Sequence, residues 1–85
     1  MVRPADRCLD VSGELCPVPA LEARRCLDAM QPGQVLTVIA TDPLAAVDLQ
    51  ILCDRLGHEL LASSQVGAAL EVRIRVSSAR QPDAD

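Results

Sequence analysis

The sequence predicts a two-layer α/β sandwich of order βαβαββ, with a four-stranded mixed sheet and both helices on one face. Three observations carry that prediction. Two stretches show apolar residues at helical spacing, and each follows a short strand-like apolar run. The closing segment alternates residue by residue: Leu70, Val72, Ile74 and Val76 against Glu71, Arg73 and Arg75. That strand has one buried and one wet face. A βαβ crossover is right-handed and sets its helix on a defined side, so a sheet with one wet surface carries both helices on the other.

Taken in order, residues 8–11 form the first strand and Ser12-Gly13 a turn. Ala20, Ala23, Leu27 and Met30 then mark one stripe of a helix. Pro17 suits the first helical position, where its missing N–H would have had no partner. That places Cys16 at the N-cap. Pro19 removes a further N–H and disfavours helical geometry at Val18. Gln31-Pro32-Gly33 stops the helix. The nearly continuous apolar run at 34–40 (Val35, Leu36, Val38, Ile39) reads as a central strand.

Asp42-Pro43 caps a second helix, in which Leu49, Leu52, Cys53 and Leu56 form the core stripe and Gly57 is the C′ residue. Residues 58–64 make a third strand of weaker alternation, and 65–68 the hairpin turn into the fourth. Residues 1–7 are expected to be a disordered N-terminal segment, 8–76 the folded domain and 77–85 a polar tail.

Composition narrows the function. Eighty-five residues with 49% apolar content support one domain without metal or disulfide. There is no Phe, Tyr or Trp, so the core is aliphatic. A net charge of −4 and the missing aromatics argue against direct nucleic-acid binding. No apolar run approaches the roughly 20 residues of a membrane span, and residues 1–7 lack the apolar region of a secretory signal. A cytoplasmic location is expected. The cysteines at 8, 16, 26 and 53 contain no C-x-x-C pair, which argues for reduced thiols, no metal and no cofactor.

Cys16 is the residue around which a function is built. Ser, Thr, Asp and Asn make better caps than Cys, so stability alone does not explain a cysteine there. A thiolate at that position gains from the helix dipole and from the N–H groups of Val18 and Ala20. The expectation is a thiol pKa lowered by about one unit and a competent nucleophile.

In sequence order, Leu9-Asp10, Gly13, Cys16-Pro17-Val18-Pro19, Met30-Gln31-Pro32-Gly33, Asp42-Pro43, Asp48 and Gly57-His58-Glu59-Leu60 resemble the TusA/SirA-like sulfur-carrier family. The match spans roughly residues 8–76. The resemblance implies a sulfurtransferase in which Cys16 carries sulfur as a persulfide. It further implies a cysteine desulfurase or other persulfide donor, and a downstream sulfur-relay protein. The routes served by that family include tRNA thiolation, molybdenum-cofactor sulfuration and sulfur oxidation. Gly13, Pro17, Val18, Pro19 and Ala20 would position the thiol.

The remaining candidates are weighed against plainer readings. Cys53 lies on the apolar stripe and reads as core, and Cys26 as filler beside the first stripe. Asp42 and Asp48 read as an N-cap and a solvated helix position, not as an acid/base pair. His58 reads as a surface or strand-start residue. Arg24 and Arg25 share the helix that starts at the thiol and are candidates for docking an acidic partner surface; Arg73 and Arg75 read as solvated charge. The alternative function is a thiol redox sensor or adaptor pairing Cys16 with a second cysteine, for which Cys8 is the candidate. A bland interaction module leaves the cysteine cap unexplained.

Overall fold

The computed structural model describes residues 7–77. Its elements run β1 (Arg7–Val11), α1 (Val18–Asp28), β2 (Val35–Ala40), α2 (Ala45–Leu56), β3 (Glu59–Val66) and β4 (Ala69–Arg75). The predicted order and sandwich are both found. β1 starts at Arg7, one residue before its expected start. The expected N-terminal segment to residue 6, and the tail beyond Ser77, lie outside the described residues.

The sheet order is β1-β2-β4-β3. β1 pairs parallel to β2, from Arg7 opposite Leu36 to Val11 opposite Ala40. β4 runs antiparallel to both β2 and β3. Period-two geometry turns Leu36, Val38 and Ala40 of β2 and Val72 and Ile74 of β4 inward, where they are buried. Val35, Thr37 and Ile39 are only half-buried, so β2 is central as expected but fully covered on one face alone.

Both helices press on that covered face. Ala23 and Leu27 of α1 and Ala45, Leu49 and Cys53 of α2 share one cluster with the inward strand residues. Met30, Leu36 and Val76 extend it, so the core is aliphatic, as the composition requires. α2 ends where expected, at Gly57 in the left-handed region with φ +84°, its N–H donating to the Cys53 carbonyl.

Three local expectations are corrected. α1 begins one residue late: its N-cap is Pro17 and not Cys16, because the Val18 N–H turns back to the Leu15 carbonyl at 2.8 Å. The Cys16–Pro17 peptide bond is cis. α2 likewise starts at Ala45 with Leu44 as N-cap. Asp42 stands ahead of a tight turn there, its backbone carbonyl accepting from the Ala45 N–H at 3.0 Å. Finally, the hairpin turn is only Gly67-Ala68, with Val66 still paired to Ala69. β3 alternates weakly because it is an exposed edge strand with a register shift between Leu60 and Ala62.

His58 directly precedes β3, as a strand-start residue would, but it is not at the surface. It is buried, and its Nδ1 accepts the Ser77 N–H at 3.2 Å. Its partner Ser77 lies 19 positions on, just after β4, so the sequence around His58 carries no signal of the burial.

Candidate functional site

Because β1 and β2 are parallel, their carboxyl ends lie at one edge of the sheet, and the loops into α1 and α2 meet there. Open α/β sheets place ligands and chemistry at such edges. Two hydrogen bonds tie the loops together. The Gly13 N–H donates to the Thr41 hydroxyl at 2.9 Å, and the Cys16 N–H donates to Asp42 Oδ2 at 2.5 Å. Gly13 has φ +86°, a conformation that glycine adopts without the steric cost other residues meet. The other oxygen of Asp42 accepts the Leu44 N–H at 3.2 Å. One buried carboxylate therefore holds both loops.

The Cys16 thiol is exposed and donates to Asp48 Oδ2, on the first turn of α2, at 2.7 Å. This reverses the electrostatic expectation. The Asp48 hydrogen bond, then desolvation, then the charges of Asp48 and Asp42 raise the thiol above its ordinary pKa. The Val18 N–H, expected to stabilise a thiolate, is committed to Leu15. Asp48 thus favours the protonated thiol over the thiolate.

The structure ties Cys16 directly to Asp42, and Gly13 to the adjacent Thr41. Pro17, Val18, Pro19 and Ala20 follow as the cap and first turn, with Pro19 fully buried under the site. Arg25 is exposed further along α1, and Arg24 pairs with Asp28 at 3.8 Å, both being partly exposed. Arg73 is exposed, and Arg75 pairs with Glu59 across the β3–β4 hairpin. Thr41 carries no signal of its own in the sequence, and Asp48 is the partner of the thiol where a solvated helix position is expected. The available signal was that Asp42-Pro43 and Asp48 sit in the same recurring pattern as Cys16.

The other thiols stand apart. Cys53 is buried in the core and Cys26 half-buried against it. Leu9 and Val11 face the core, so Cys8 belongs to the open face of β1 by strand alternation. It lies roughly 10 Å down the strand from the end that leads to Cys16. No group of three or more metal-binding side chains occurs among the described residues. No helix among them is long and apolar enough to cross a membrane.

The protein is thus a βαβαββ sandwich with an exposed thiol where its two βα loops meet. The comparisons identify the kind. A family model described as Sulfurtransferase TusA matches residues 7–76, and the chain belongs to the TusA family of sulfur carriers. It is 43% identical over 72 residues to the sulfur carrier protein TusA of Allochromatium vinosum, covering 85% of this chain and 95% of that one. The crystal structure of a SirA-like protein from Desulfitobacterium hafniense superposes with a TM-score of 0.70 at 25% identity. That match covers 85% of this chain and 99% of its counterpart.

Proposed function

We propose that this carrier accepts sulfane sulfur as a persulfide on Cys16 from a donor such as a cysteine desulfurase, and passes it to a thiol of a relay partner. In loading, the Cys16 sulfur bonds to the outer sulfur of the donor persulfide. The donor's S–S bond breaks and the donor leaves as a thiolate. In unloading, the partner's thiolate attacks the outer sulfur and Cys16 is the leaving group. Neither step changes net oxidation state, so neither needs a cofactor.

The observation that carries this reading is the placement of Cys16. It is an exposed thiol at the meeting of both βα loops, with its backbone fixed by Asp42. Gly13, Pro17, Val18, Pro19 and Ala20 serve to position it. The downstream route, whether tRNA thiolation, cofactor sulfuration or sulfur oxidation, is set by the partner that takes the sulfur. The separation of Cys8 from the site favours single-thiol carriage over a disulfide switch.

Intact mass after incubation with cysteine and a cysteine desulfurase tests the proposal, using wild type and each Cys→Ser variant. One added sulfur, removed by reductant and absent only in Cys16→Ser, is expected. A Cys16→Ser protein that still takes up sulfur removes the assignment.

A further inference from the structure

Transfer needs a thiolate, yet among the described residues the charges that act on Cys16, those of Asp48 and Asp42, oppose one. Asp48 accepts the thiol proton at 2.7 Å, and Asp42 lies one loop away with an oxygen on the Cys16 N–H. On the thiol's own loop the neighbouring charge is Glu14, also negative. Asp10, at the end of β1, accepts the Ser12 N–H instead. Among the described residues of α1, the cations Arg24 and Arg25 stand beyond the first turn, and Arg24 is engaged by Asp28.

Around this acidic pair the surface is apolar. Leu15, immediately before the thiol, is 70% exposed, and Leu44 and Val47, beside Asp42 and Asp48, are each more than half exposed. An acidic centre within a greasy rim is complementary to a surface that brings one cation and some apolar side chains. Docking over that rim excludes water and strengthens a charge pair at its centre.

We propose that Asp48 is a positioning residue that keeps the empty carrier's thiol neutral until a sulfur-donor protein presents an arginine or lysine to it. This rests on Cys16 being the sulfur-carrying residue. Once the donor's cation pairs with Asp48, the carboxylate no longer stabilises the protonated thiol, and Cys16 gives up its proton, balanced by the one the donor's departing thiolate takes up. The Cys16 sulfur then bonds to the outer sulfur of the donor persulfide, the donor's S–S bond breaks, and the departing thiolate takes up a proton. Sulfane sulfur moves without net oxidation or reduction. The arrangement makes Cys16 slow toward small electrophiles and responsive to the correct protein donor.

The test compares wild type, Asp48→Asn and Asp48→Glu in three measurements. The first is the pH profile of iodoacetamide alkylation, read on the peptide containing Cys16. The second is loading by glutathione persulfide, and the third loading by a cysteine desulfurase with cysteine, both by intact mass. In Asp48→Asn the alkylation midpoint is expected to fall by about one pH unit. Small-molecule loading at pH 7 should rise up to about tenfold, in proportion to the thiolate gained. Loading by the desulfurase should fall relative to glutathione persulfide, and Asp48→Glu should restore part of that ratio.

A residue that merely supports the loop would move both loading rates the same way. An unchanged alkylation midpoint, or an unchanged ratio of protein to small-molecule loading, overturns the proposal. Wild type that fails to load at Cys16 from either donor refutes the carrier assignment instead, a result distinguishable because the alkylation profile is read without any persulfide.

Discussion

The backbone N–H of Cys16 donates to the carboxylate of Asp42, a residue 26 positions further along the chain. The loop that presents the thiol is therefore pinned by the loop that opens α2. The second oxygen of Asp42 accepts from Leu44, so the carboxylate is shared between the two loops.

Asp42→Ala removes an acceptor from two backbone donors at a buried site. It is expected to cost about 1–3 kcal/mol in a denaturant melt and to slow sulfur loading through a loosened thiol loop. A variant with unchanged midpoint and unchanged loading would show that the tie carries neither stability nor placement.

Leu49→Ala opens a cavity in a core that has no aromatic side chain to settle into it. Leu49 is fully buried between α2 and the sheet. The expected loss is about 3 kcal/mol, a large share of the roughly 5–10 kcal/mol a domain of this size holds. Urea unfolding measures it directly.

Gly57→Ala forces a side chain into the left-handed region at φ +84°. The loss should be roughly 1 kcal/mol, with Gly57→Asn costing less. Equal melting temperatures for Ala and Gly at this position would contradict the cap geometry.

Cys53 gives an alkaline signature. Burial pushes its thiol from 9.0 up to about 11. Between those values the unfolded chain gives up the proton and the folded chain keeps it. The stability from the neutral thiol is therefore complete below pH 9 and lost as pH rises through 11. Cys53→Ala should flatten that limb of the stability–pH curve even though it lowers stability overall. The Cys16 shift has the same sign, so part of the slope persists in the variant.

Reversing Arg24 and Arg25 to Glu tests the docking role expected for them on α1. Loading by a protein donor should slow, most at low ionic strength, with the Cys16 alkylation profile little changed. Unchanged loading kinetics at low salt would retire the idea.

Much of the fold was legible because its signals are local. The Leu49, Leu52, Cys53, Leu56 stripe lies within α2 and the alternation from Leu70 to Ile74 within β4, with Val76 just beyond it, and each turns its predicted side inward. The site was legible only in its thiol. Cys16 could be singled out because cysteine is a poor choice at the expected helix cap. What surrounds it comes from residues 26 and 32 positions away, which only the parallel pairing of β1 and β2 brings close. Reading Cys16 from its own helix led to a stabilised thiolate, while the neighbouring helix supplies the dominant group. The burial of His58 was illegible for the same reason, since its partner Ser77 lies just after β4.

Strand direction has one more consequence. Arg7 pairs at the start of β2, and Arg75 pairs opposite Val35, so the first and last described strands both meet the sheet edge opposite Cys16. Among the described residues the chain therefore enters at Arg7 and leaves β4 at Arg75 on the side away from the thiol. Strand direction gives the described domain two unlike poles, one where the chain enters and leaves the sheet and one that presents Cys16.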